Sequence, residues 1–174
     1  MTERQDKRAQ FEQGKKRGGF PWIFLAAIVL AGGAFGAWMA VDTGEGAKYP
    51  LLSAAEGQIV LPLAQVSDGK AHFFSYRQGD TTIDFFVLRS KDGVLRAALD
   101  TCDVCYQDRK GYRQEGDFMV CNNCDQRFRS DMINEVRGGC NPAPLERTVA
   151  DGRLIIREAD LAGGVRYFSQ IKGS

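Results

Sequence analysis

Histidine is nearly missing from this chain: His72 is the only one. No serine–histidine constellation can be assembled, and neither paired carboxylates nor a phosphate-cradling loop is present. The sequence therefore offers no hydrolase or transferase machinery. It also lacks an excess of charge of one sign. With 23 basic and 22 acidic residues, the formal net charge is +1. Such a chain has no basic field to displace counterions from phosphates, so nucleic acid is not an expected partner. No low-complexity tract occurs, and twenty glycines with few long periodic stretches argue against a helical bundle. Cysteine is scarce too, at five residues, but all five fall between Asp100 and Pro142.

Those five are Cys102 and Cys105, Cys121 and Cys124, and Cys140 within Gly138-Gly139-Cys140-Asn141-Pro142. Two C-x-x-C pairs with 15 residues between them have the spacing that lets four thiolates converge on one metal. Each pair makes a tight turn that aims two sulfurs the same way, and the intervening loop sets the second turn opposite the first. Four thiolates suit zinc, a single iron, an iron–sulfur cluster or copper(I). Cys140 follows two glycines on a constrained turn, as a further ligand, a spare thiol or a structural cysteine. His72, on a strand, is a second-tier ligand, and Met119 and Met132 are near enough in sequence to be soft donors or core fillers. Asp100, Asp103 and Asp125 flank the pairs and read as solvated turn residues. Disulfides remain an alternative use of the cysteines. Cross-pairing between the two motifs would make a structural staple, whereas pairing within a C-x-x-C gives a strained, redox-active bond.

Compartment bears on that choice. Residues 1–19 form a polar tail with six basic residues, and residues 20–41 carry no charge at all. A helix of that length spans roughly 33 Å, enough for a hydrocarbon core of about 30 Å. A cleaved signal peptide competes with this reading, but Ala37-Trp38-Met39-Ala40 is a poor cleavage site. The basic flank predicts a cytoplasmic amino terminus, Trp22 and Trp38 suit the two interfaces, and Gly32 and Gly36 offer a face for a partner helix. The chain then reads as single-pass in the cytoplasmic (inner) membrane. A linker over 42–50 leads to an extracytoplasmic cysteine-rich domain over 51–174.

That domain is expected to be mainly β (α+β), a small antiparallel sheet with the cysteine site as an insertion. Gln58 to Val66, Ala71 to Arg77, Thr82 to Arg89 and Val94 to Leu99 read as strands of an antiparallel meander, separated by glycine-containing turns. The last strand delivers the chain to the first cysteine pair, which places the site at one end of the sheet. Ser130 reads as the N-cap of a short helix over Asp131 to Arg137. Leu145 to Val149 and Arg153 to Glu158 read as a hairpin across Asp151-Gly152, and Val165 to Ile171 as an edge strand.

At these residues the chain resembles the FtrD-like family of membrane iron–sulfur-containing proteins. The likeness rests on Asp100-Thr101-Cys102-Asp103-Val104-Cys105, Gly111-Tyr112-Arg113-Gln114-Glu115-Gly116, Val120-Cys121-Asn122-Asn123-Cys124, Phe128, Ile133-Asn134-Glu135-Val136 and the Gly-Gly-Cys-Asn-Pro run. Ala71-His72-Phe73-Phe74 and Phe85-Phe86-Val87 extend it, over about residues 55–160. The resemblance implies a membrane-associated, cysteine-ligated domain whose relatives occur alongside iron-uptake permeases.

The expectation is a membrane-anchored protein binding iron or an iron–sulfur cluster, with zinc or copper as other occupants. It would serve electron transfer or iron handling for an integral membrane transport or electron-transfer partner, as an accessory protein rather than a catalyst. Two other readings stay open. One is a partner-binding module held together by zinc or disulfides; the other is a thiol–disulfide oxidoreductase.

Overall fold

The computed structural model describes residues 47–169. The tail over 1–19, the span over 20–41 and most of the linker lie outside the described residues. Among the described residues no helix is long and apolar enough to cross a membrane.

The chain builds three small sheets, and one strand explains how they meet. Strands β1 (Leu51–Leu52), β3 (His72–Gln78), β4 (Thr81–Arg89) and β5 (Leu95–Leu99) form a sheet in the order β1-β3-β4-β5. The last three make the expected antiparallel meander, while β1 lies parallel to β3 through Leu51 and Leu52. In β4 four consecutive residues, Phe85 to Leu88, are fully buried. Side chains alternate along a strand, so such a run means that both faces are covered. Phe85 and Val87, with Leu95, Ala97 and Leu99 of β5, enter one core; Phe86, Leu88 and Ala98 enter another.

The first core is closed by a second sheet. Strands β2 (Gln58–Pro62) and β9 (Thr148–Ala150) flank β10 (Arg153–Arg157) in antiparallel pairing. Their inward residues Ile59, Leu61, Leu154 and Ile156 are buried against the first sheet. The hairpin across Asp151-Gly152 forms as expected, with a shorter first strand. β2 does not run on to Val66. It ends at Pro62, which has no N–H to offer a ladder, and Leu63–Val66 turns into a helix, α1. β2 also leaves the meander and pairs with β10 instead.

The second core is closed by the cysteine-bearing sheet, β6 (Tyr112–Glu115), β7 (Phe118–Cys121) and β8 (Arg127–Arg129), all antiparallel. Tyr112, Met119 and Cys121 of this sheet pack with Phe86, Leu88 and Ala98. The cysteines therefore lie over one face of the first sheet, not beyond its end.

Two expected elements are replaced. Instead of a helix over Asp131 to Arg137 there is one 3-10 turn, Ser130–Met132, followed by an isolated bridge between Ile133 and Val136. Asn134 breaks the helix by taking φ +70°. Its side chain accepts from Ala97 N–H at 3.3 Å and donates to Ala97 O at 2.7 Å, an extension of the β5 ladder. Instead of an edge strand, Val165–Phe168 forms a short helix, α3, after α2 (Glu158–Ala162). Tyr167 and Phe168 are buried in the first core, where helical spacing carries both inward.

Candidate metal centre

The first C-x-x-C turn follows β5 directly. The Asp100 amide still donates to Asp84 O at 2.8 Å, so the sheet fixes where Cys102 starts. The Cys105 amide donates to Cys102 Sγ at 3.2 Å, and a 3-10 turn, Tyr106–Asp108, follows. The second turn closes the β7–β8 hairpin. The Cys121 amide donates to Gln126 O and the Asp125 amide to Cys121 O, at 3.0 and 2.9 Å. Asp125 takes φ +56°, a conformation that short polar side chains tolerate, so the turn closes without glycine. The amides of Cys124 and Asn123 face Cys121 Sγ, and that of Gln126 faces Cys124 Sγ. Backbone N–H groups aimed at sulfur favour the thiolate, the form that binds metal.

These turns bring the sulfurs together in two overlapping sets. The Sγ atoms of Cys102, Cys105 and Cys140 all lie within 4.8 Å of one another, and so do those of Cys105, Cys121 and Cys124. Cys105 belongs to both. All five are free thiols. Around a single tetrahedral metal with bonds near 2.3 Å, sulfurs stand roughly 3.8 Å apart, so each set is close to a ligand set before any metal arrives. Cys140 is brought in by Gly138 and Gly139, at φ +85° and +61°, and by the Tyr112 hydroxyl, which donates to Cys140 O at 2.7 Å. Asn123 Nδ2 ties the second turn to the first by donating to Asp108 at 2.7 Å.

Burial is graded across the site. Cys102 and Cys121 are buried, Cys105 and Cys140 half-buried, and Cys124 exposed. Burial pushes the Cys121 thiol up to about 11, against its backbone N–H donors. It pushes Cys140 up to about 12, helped by the Cys124 and Cys105 sulfurs. Cys124 moves the other way, chiefly through the Gln126 N–H. Among these three, Cys124 gives up its proton most readily, and Cys121 and Cys140 hold theirs until a cation displaces them.

His72 is not brought to the sulfurs. It stands opposite Val87 in the β3–β4 register, on the face that turns towards the first core, and its Nε2 lies 2.7 Å from Asp68. Phe73, one residue on, takes the cysteine side. Met119 is fully buried in the second core, and Met132 is exposed. Of the flanking acids, Asp125 is an exposed turn residue paired with Arg113 and Asp103 accepts from Tyr167, but Asp100 is not solvated. Its buried carboxylate accepts from Lys48 Nζ, the Tyr49 hydroxyl and the Tyr112 amide, at 3.0, 2.9 and 2.7 Å. Burial raises its pKa, opposed by the Lys48 ammonium.

Tyr112 had no assigned role in the sequence, yet it touches most of the site. Its register partner is Cys121, its hydroxyl interacts with the Cys102 sulfur, and burial drives its own pKa strongly upward. The signal was present: a hairpin folded at Gly116-Asp117 sets Tyr112 across from Cys121 by simple counting.

A search of curated proteins finds no match. Among solved structures, the quaternary ammonium Rieske monooxygenase CntA, in complex with an inhibitor, aligns with a TM-score of 0.39 and 15% identity. The alignment covers 59% of this chain and 31% of that one, a likeness too slight to argue from. The profile of the FtrD-like family, described as membrane iron-sulfur containing protein FtrD-like, matches residues 66–168. That match takes in β3 to α3 and all five cysteines, more than half of the sequence, and the chain belongs to the FtrD-like family.

Proposed function

We propose that this protein binds iron, as a single ion or an iron–sulfur cluster, and serves electron transfer or iron handling for an integral membrane complex. The observation that carries the reading is the pair of sulfur triads sharing Cys105. The donor set is entirely sulfur, which suits iron, zinc or copper(I) far better than magnesium or calcium. The family description favours iron–sulfur among these.

Cys102, Cys105, Cys121 and Cys124 would hold the group, with Cys140 the fifth thiol at its edge. Bound iron would supply one-electron chemistry. The chain supplies the rest. Backbone N–H groups stabilise thiolate charge, Tyr112 orients the Cys140 turn, and the apolar wall of Phe86 and Met119 excludes water from the Cys102 and Cys121 side. Cys124, exposed, marks the edge where a partner would exchange electrons or metal. The uncharged stretch over 20–41 would anchor the domain beside that partner, on the extracytoplasmic side.

A spectroscopic redox titration of the full chain, purified without oxygen, tests this. The reading expects visible charge-transfer bands that bleach and return over one reversible couple. A colourless protein with no couple, active in partner capture alone, would replace it with the structural-scaffold reading. A couple that tracks dithiol oxidation without iron would replace it with thiol–disulfide exchange.

A further inference from the structure

A second site lies away from the cysteines, where the β4–β5 turn meets β9. An open groove of about 610 Å³ there is lined by Leu63, Arg89, Val94, Leu95, Arg147 and Val149 among others. Its two arginines are held in the same unusual way. Arg89 Nε donates to Gly93 O at 3.2 Å, and Arg147 Nε donates to Leu95 O at 2.9 Å. Each guanidinium is thus oriented by one backbone carbonyl, of the β4–β5 turn for Arg89 and of the first residue of β5 for Arg147. Both line the groove, and among the described residues their terminal nitrogens have neither a hydrogen-bond acceptor nor an ion-pair partner.

The nearby acids are already committed. Asp92 is taken by Arg96, the Ser90 hydroxyl and the Val94 amide; Glu135 by Arg96; Glu146 by Arg137. Burial, with the Arg96 charge, lowers the pKa of Arg147 despite the opposing Glu146 and Glu135 carboxylates, so an anion seated here would relieve an unfavourable position. Val94 and Val149, which line the same groove, are 42% and 50% exposed, large apolar side chains open to solvent. Arginine forks fit carboxylates through paired N–H donors, and the groove is of a size that takes small ligands. We propose that this groove binds a small aliphatic dicarboxylate, one carboxylate on each arginine and the hydrocarbon frame against the two valines.

Calorimetric titration of the full chain with glutarate tests the proposal, since glutarate lacks the hydroxyl that would make it a strong iron chelator at the cysteine site. Expected is one saturable site whose affinity falls at least about tenfold in Arg89→Gln or Arg147→Gln, each loss being that of a charge-assisted hydrogen-bonded pair. Val149→Glu keeps both arginines and should weaken binding comparably by placing a carboxylate in the groove. Thermal melting of the unliganded variants identifies any that fail to fold. Propionate, with one carboxylate, should bind at least about tenfold more weakly. No saturable binding by the natural chain would overturn the proposal. So would binding that survives in folded variants, or propionate or inorganic phosphate binding as tightly as glutarate.

Discussion

Tyr112 and Gly111 hold the cysteine turns where they are. Replacing Tyr112 by Phe keeps the ring packed against Phe86 and Phe128 but leaves the Cys140 carbonyl without its donor. An expected loss of about 1–2 kcal/mol follows, read by denaturant unfolding. If iron is bound, Tyr112→Phe should also shift its reduction potential, because it removes a hydroxyl dipole beside the Cys102 sulfur. A purely structural tyrosine would change the first quantity and not the second. Gly111 is constrained twice: φ is +67°, and an added Cβ would sit 2.1 Å from Asp100 Oδ2. Gly111→Ala should therefore cost about 3 kcal/mol or more, since the buried carboxylate cannot retreat without losing Lys48 and Tyr49. Gly116, at φ +58° with nothing within 4 Å of a Cβ, isolates the backbone term. Gly116→Ala should cost only about 1–2 kcal/mol.

At the scale of elements, the meander strands and the last hairpin were legible, whereas β1, β6, β8 and the short helices were not. Thr82 to Arg89 reads as a strand from its β-branched and aromatic content, and the structure extends it to Thr81 and buries its apolar centre on both faces. The segment after Ser130 carries every local helix signal, yet tertiary bonds override them. Asn134 pairs with Ala97, and Arg96 Nη1 donates to Ile133 O at 2.6 Å. Nothing near Asn134 in sequence reveals a partner 37 residues away. His72 shows the finer limit. A strand could be assigned, but which face met the cysteines depended on how the later sheet packed.

Arg96 also links the β4–β5 turn to that segment, through Asp92 and Glu135 at 2.7 and 2.9 Å. The Ser90 hydroxyl, then Arg96, holds the Asp92 carboxyl well below its usual value of 3.8. A depressed folded pKa contributes stability above the unfolded value, and that contribution disappears as pH falls through the folded one. The melting temperature of the natural chain should exceed that of Asp92→Asn at pH 5–7. The gap should shrink as pH drops below about 4. A gap that holds constant or widens on acidification would contradict the assignment.

At the largest scale, the described residues form two cores sharing one sheet. The first sheet lends one face to an apolar sandwich and the other to a wall on which the cysteines sit. The segment that begins the described chain is stitched to the cysteine module: Lys48 Nζ reaches both Asp100 Oδ2 and Lys110 O, and Tyr49 stacks on Phe73 with centroids 5.0 Å apart. The described chain therefore begins beside the cysteine-bearing sheet rather than the opposite one. Of this plan, the convergence of the two C-x-x-C turns was visible in their spacing, although the site was expected at one end of the sheet and not over its face. The shared position of Cys105 was not, because it depends on the Gly138-Gly139 turn folding Cys140 back across the first pair.

The most direct test is the iron, zinc and acid-labile sulfide content of the full chain purified without oxygen, beside its Cys105→Ser variant. The account predicts stoichiometric iron in the natural chain. It predicts a greater loss in Cys105→Ser than in Cys140→Ser, because only Cys105 belongs to both sulfur sets. Stoichiometric zinc, or no metal with the cysteines paired as disulfides, would contradict it.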